Sequence, residues 1–202
     1  MEDVGDIDKV RGMYSELPHS VGLKNERFII NTDFRIFIDF EQEMQGIDKR
    51  KAINKALNRF YPAFFYICKN NLLNEAVDKF IWFYKCGRPD KASKKSRNAK
   101  RSSQIYSYGY DDLYIWGTFH QHFRNDKGLP IDLTKDYIHW WKFRAMWLTI
   151  PEKTIYSKIK GYRAYNGKDK DILELKEIYK LPPTENEINE QVRRDKIYNA
   201  LK

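Results

Sequence analysis

The residues able to do chemistry are few and scattered. His120-Gln121-His122 places two imidazoles two residues apart. That spacing chelates a metal only in an extended segment, because on a helix the two side chains diverge by about 200 degrees. His19 and His139 have no cysteine or acidic residue at a recognised ligand spacing. Asp111-Asp112 pairs two carboxylates in sequence, but a helix N-terminus accounts for both as capping residues. GYRAYNG at 161–167 is the one glycine-rich candidate, and its spacing fits no phosphate-binding fingerprint. The sequence holds no nucleophile elbow and no His-Glu-x-x-His. Cys68 and Cys86 sit in apolar helical surroundings and are read as two reduced, buried thiols, with a single disulfide as the alternative. No catalytic residue, cofactor or metal is expected, and an enzyme is the least favoured class.

Two other stretches carry potential binding chemistry. RPDKASKKSRNAKRSS at 88–103 contains no large apolar residue. Lys94, Lys95, Arg97, Lys100 and Arg101, with Arg88 and Lys91, are opposed only by Asp90. One reading is a solvated, mobile loop; the other is a docking strip for an acidic protein or RNA. A grip on nucleic acid would weaken steeply with salt. DYIHWWKFRAMW at 136–147 concentrates aromatic residues. It reads as a central helix packed on two sides, as a surface for another protein, or as a base-stacking platform. Lys142 and Arg144 are too few cations for the platform. On one helix Trp141, Ala145 and Leu148 are assigned to the core. Tyr137, Trp140 and Trp147 are assigned to a partly exposed edge and are, with the five basic loop residues, the candidate partner contacts.

The composition bounds these readings. The chain has 202 residues, of which 42% are hydrophobic and 15% aromatic, enough for a packed core. The net charge of +9 favours an acidic partner without selecting nucleic acid, an anionic membrane or a protein. The start, MEDVGDIDKV, lacks the basic and apolar regions of a signal peptide. No apolar run approaches the roughly 18 residues of a membrane span. A soluble, intracellular protein is expected.

Periodicity places the elements. The expected fold is mostly α, a compact multi-helix domain over 16–182, between a flexible tail at 1–15 and a C-terminal helical segment at 183–202. SVGLKNERFIIN at 20–31 fits a small N-terminal β-hairpin turning at Lys24-Asn25-Glu26. Phe34, Ile36, Ile38 and Phe40 alternate as in a strand, yet Thr32 is a good N-cap and a helix over 33–45 is favoured. Helices follow over 48–60, stopped by Pro62, and over 72–86, closed by Gly87 and Pro89. Asp111 or Asp112 opens a helix through about 123. Thr134, with Asp136 in the first turn, opens the helix that carries the aromatic stretch to near Thr149. Short helices are expected over 152–162 and 169–180. Thr184 and Glu187 form a capping box for the last one.

In order, INTDFR at 30–35, FIWFYKCG at 80–87, the Lys/Ser/Arg-rich loop, IYSYGYDDLYIWGTF at 105–119, DLTKDYIHWWKFRAMW at 132–147 and GYR at 161–163 make a pattern. It resembles the phage and prophage tail-operon family labelled bacteriophage "gp-fifteen" protein, from about residue 16 to 183. Leu133 to Arg144 is the most distinctive part. The resemblance implies a tail assembly chaperone: a small helical protein that coats the tape measure protein, keeps it soluble and assists tail tube assembly. Such a protein acts in the cytoplasm of the infected or lysogenic host and is absent from the mature virion. The implied partners are the tape measure protein, the tail tube protein, a second tail assembly chaperone and further copies of the chain; nucleic acid and membrane are not expected. The family brings no functional residues to these positions. The alternatives are a structural tail or connector component retained in the virion and, less favoured, a basic nucleic-acid-binding regulator.

Overall fold

The computed structural model describes residues 16–88 and 104–200. It is mostly helical with a small N-terminal hairpin. The expected tail at 1–15 and the basic loop, with Lys94, Lys95, Arg97, Lys100 and Arg101, lie outside the described residues. The chain divides into two compact units: the described parts of one are residues 16–40, 50–88 and 137–148, and of the other 41–49, 104–136 and 149–200.

In the first unit, β1 (Ser20–Leu23) pairs antiparallel with β2 (Glu26–Ile29), with Val21 opposite Phe28. Alternation sends Val21, Leu23 and Phe28 inward and leaves Ile29 exposed. The turn is Lys24-Asn25. Lys24 takes a left-handed φ of 50°, and its backbone N–H donates to the Glu75 carboxylate at 2.7 Å.

Three helices follow as the periodicity indicates: α1 (Phe34–Glu43), α2 (Lys49–Phe60) and, after a short α3 (Phe64–Lys69), α4 (Leu73–Tyr84). The strand alternative for α1 is excluded. α3 went unread, because six residues of FFYICK are too short to show a period. On α4 the buried line is Ala76, Phe80 and Phe83, while Leu73 and Ile81 are exposed. Helix α4 ends one residue earlier than a glycine cap predicts. Cys86 takes the left-handed position at φ 57°, donating its N–H to the Phe83 carbonyl, while Gly87 N–H reaches the Trp82 carbonyl, both at 2.9 Å.

Phe37 centres the core of this unit. Its ring lies 4.8 Å from Trp140, 5.5 Å from Phe83 and 5.6 Å from Phe80. Trp140 belongs to α6 (Trp140–Leu148), which is much shorter than expected. Thr134 caps nothing. Its N–H and hydroxyl turn back to the Asp132 carboxylate, and Asp136 accepts from the Asp132 N–H at 2.8 Å. These local bonds outcompete a helix. Residues 138–140 then run extended beside 32–34, with Phe34 N–H bonded to the Ile138 carbonyl at 3.0 Å and Trp140 N–H to the Thr32 carbonyl at 2.8 Å.

The second unit contains α5 (Asp112–His122), α7 (Ile155–Ala164), α8 (Lys170–Ile178) and α9 (Glu185–Ala200). Thr154 caps α7 by accepting from Ser157 N–H at 3.1 Å. The inner face of α7 is Tyr156, Ile159 and Arg163, so Ile155 points outward. The capping box of α9 forms as read, Thr184 N–H reaching Glu187 at 2.7 Å and Glu187 N–H returning to Thr184 at 3.3 Å. Among the described residues no helix is long and apolar enough to cross a membrane.

Candidate functional site

The late start of α6 changes which aromatic residues can meet a partner. The expected exposed edge is overturned at two of its three positions. Trp140 is 0% exposed and Trp147 only 7%, whereas Tyr137 is 58% exposed. Conversely Ala145 and Leu148, expected in the core, are exposed, and Trp141 is half-buried. The correction has one cause. Trp140 opens the helix, and Trp140, Phe143 and Trp147 fall at the i, i+3, i+7 spacing of a core-facing line. Phe143 stacks between the two tryptophans at 5.8 and 5.9 Å, and on Phe34 at 4.7 Å.

Both neighbouring indoles complete α4. Trp140 Nε1 donates to the Tyr84 carbonyl at 2.9 Å and Trp141 Nε1 to the Phe83 carbonyl at 2.8 Å. Both carbonyls lie in the last turn of the helix, where i+4 backbone donors run out, and that of Phe83 is shared with Cys86 N–H. Tyr137, by contrast, shares a hydrogen bond between its hydroxyl and that of Thr32 and is otherwise largely exposed.

His139 is buried beside this junction. Its Nδ1 accepts from Trp141 N–H at 3.1 Å, so the proton sits on Nε2, which donates to the Pro18 carbonyl at 3.0 Å. Burial lowers its pKa from 6.5 to about 4, opposed by the Pro18 bond and assisted by nearby His19. The folded state therefore binds fewer protons than the unfolded chain between those values. Stability tied to His139 is full above about pH 6.5 and is lost as pH falls toward 4, by up to about 3 kcal/mol. Thermal melts from pH 7.5 to 5 should show this decline, and His139→Gln should flatten it; an unchanged slope in the variant would assign the decline elsewhere.

In the second unit the sequence reading missed the site's strongest electrostatic feature. Asp111 does not cap α5 with its side chain. Its carboxylate is buried against Arg163, with Nη1 at 2.7 Å and Nη2 at 2.8 Å. Asp111 also accepts from Ser107 N–H at 2.9 Å, and Arg163 donates to the carbonyls of Tyr179 at 2.6 Å and Ile105 at 3.2 Å. One ion pair thus ties the entry of α5 to the end of α7 and the turn after α8. The two residues are 52 positions apart, and nothing local in the sequence announces the pairing.

That pair holds α5 with Ile115, Thr118 and Phe119 inward. Its outer side, with the turn before it, presents Tyr110, Leu113, Tyr114 and Trp116. Leu113 is 78% exposed and Trp116 39%. Leu113, Trp116, Gly117 and His120 share one face at helical spacing, and a Cβ at Gly117 would meet nothing, leaving a low step in the strip. Trp116 is fixed in place: His120 stacks on it at 4.8 Å, and its indole helps Thr134 hold the Asp132 carboxyl down at about 2. The signal for this strip was the aromatic residues spread around α5, more than one buried face can use.

His120 and His122 do lie on a helix, and His120 Nδ1 sits 3.2 Å from the Ile131 carbonyl. No cluster of three or more metal-ligating side chains occurs among the described residues. Cys68 is exposed and Cys86 half-buried, both free thiols, so the expectation of two buried cysteines fails outright at Cys68 and is met only in part at Cys86. Burial raises the Cys86 thiol to about 11.

In general terms this is a phage tail-operon morphogenesis protein. The ground is family membership: the chain belongs to the family described as Bacteriophage Gp15 protein, whose model matches residues 13–182. No curated protein and no solved structure matches it.

Proposed function

We propose that the chain is a tail assembly chaperone that binds the tape measure protein, assists tail tube assembly and is absent from the finished virion. The observation that carries this reading is the exposed strip of Tyr110, Leu113, Tyr114 and Trp116 on and before α5. An amphipathic helix of the client would lay its apolar face along such a strip. Exposed aromatic residues fixed on a rigid helix give contact area at low entropic cost. The contact area is small, so binding is weak and the growing tube can displace it. Tyr137 and the basic residues Lys94, Lys95, Arg97, Lys100 and Arg101 are proposed as further contacts, the basic ones meeting acidic segments of the client. Buried Trp140 and Trp147 are not.

Co-expression with the tape measure protein of the same operon tests the reading. The wild type should keep the client soluble and co-purify with it. Leu113→Glu with Trp116→Ala should reduce recovery of the client at least about tenfold, with an unchanged circular dichroism spectrum. An insoluble client beside folded wild type, together with this chain found in purified particles, would instead make it a structural tail component.

A further inference from the structure

Gly117 stands in the middle of α5. Glycine destabilises a helix interior relative to alanine, because it gives up more backbone freedom on folding. Two needs commonly place one there, and neither applies. The backbone is not left-handed at this position: among the described glycines only Gly87 and Gly128 have positive φ. Nor is the position crowded, since a Cβ at Gly117 would meet no heavy atom within 4 Å. Among the described residues, nothing requires the absent side chain.

The surroundings say what the space is for. Gly117 lies on the outward face of α5, opposite buried Ile115 and Phe119. Leu113, Trp116, Gly117 and His120 stand at i, i+3, i+4 and i+7. On a helix these are the four corners of a hole that receives one side chain of a facing helix. Trp116 and His120 stack at 4.8 Å with 11° between their planes, and make one flat wall. That wall is anchored by His120 Nδ1, 3.2 Å from the Ile131 carbonyl, and by the Trp116 indole on the Asp132 carboxyl. Leu113 closes one end, and Gly117 opens the hole down to the helix backbone. No carboxylate, ammonium or guanidinium stands at any corner. A charged occupant would lose water there without gaining a counterion, and a small one would leave the hole partly empty.

We infer that Gly117 is the specificity-determining position of the α5 strip, and that the hole over it takes a leucine-sized aliphatic side chain from a helix of the client. This assignment rests on the strip being the client surface, and names the chemistry of what the strip receives.

Competition for the client tests it. Full-length wild type and one variant, differently tagged, are co-expressed with the tape measure protein of the same operon; their ratio in the purified complex reads relative affinity. Gly117→Ala should be under-represented about fivefold and Gly117→Leu at least about twentyfold. Both should raise the thermal midpoint, Gly117→Ala by about 2–4 °C, so the loss is not a folding defect. If the strip bound by apolar area alone, Gly117→Leu would add area and bind more; a share equal to or above wild type overturns the inference. Gly161→Ala on α7 is the control. Its Cβ also would meet nothing, but its neighbours one turn away are Ser157, Lys158 and Ala164, which form no apolar hole. It should gain similar stability and keep its full share of client; a loss as large as that of Gly117→Ala would overturn the inference too. A photo-crosslinking residue at Gln121, beside the hole, should capture client peptides bearing Leu, Ile or Met. Capture of a charged segment, or of a second copy of this chain, would contradict the assigned occupant. A wild type that recovers no client overturns the strip reading and this inference with it, whereas loss of client by Leu113→Glu but not by Gly117→Leu overturns this inference alone.

Discussion

Replacing Asp111 with alanine should destabilise the protein by about 3–5 kcal/mol, measured by urea unfolding. The reason is the partner left behind. Arg163 is almost fully buried, and without the carboxylate its guanidinium keeps only the carbonyls of Ile105 and Tyr179. A buried charge without its counterion costs far more than the pair contributes when intact. Ser107 N–H also loses its acceptor. Arg163→Met should cost a similar amount, because it strands the Asp111 carboxylate. The double variant is the discriminating measurement. With both charges gone, the desolvation penalty disappears, and the combined loss should fall below the sum of the singles by at least about 2 kcal/mol. Additive losses would mean that the two groups act through separate contacts.

Trp140→Ala should be the most damaging single change in the first unit, with a loss of about 4 kcal/mol or more. Trp140 is fully buried, stacks on Phe37 at 4.8 Å and Tyr84 at 5.7 Å, and completes the C-terminus of α4 through its indole. The truncation opens a large cavity and leaves the Tyr84 carbonyl without that donor. A typical domain has only about 5–15 kcal/mol to lose. Trp140→Phe should retain much of the stacking and cost about half as much. Near-native urea midpoints in Trp140→Ala would contradict the placement of this residue. The expected outcome reverses what the sequence suggested for Trp140, a folded protein that has lost its client.

That reversal shows where sequence reasoning worked. Helices α1, α2, α4 and α5, the hairpin and the α9 capping box were legible because their signals are local: a periodic apolar stripe, a polar turn, a Thr with Glu three residues on. Helix α6 was misjudged because Thr134 and Asp136 have two local options. The competing turn around Asp132 wins once 138–140 are fixed beside 32–34. That bridge joins segments a hundred residues apart, and moving the helix start from 135 to 140 turns its other face inward. The Asp111–Arg163 pair was unreadable for the same reason. The α5 strip was half legible: its aromatic richness was visible, but which residues stay outside depends on how α5 is seated in its unit.

The two indole bonds at the end of α4 span 56 and 58 residues. On the ribosome, chains emerge at about 5–20 residues per second, N-terminus first. The end of α4 therefore waits several seconds for its two indole donors, because Trp140 and Trp141 are synthesised that much later. During that interval the hairpin and α1 to α4 form an incomplete unit, with Phe37 and Phe83 lacking the indoles that later pack on them. Closure of this core is thus a late, long-range step in the birth of the chain. A nascent protein stalled before residue 140 should be a good substrate for the host's own folding machinery.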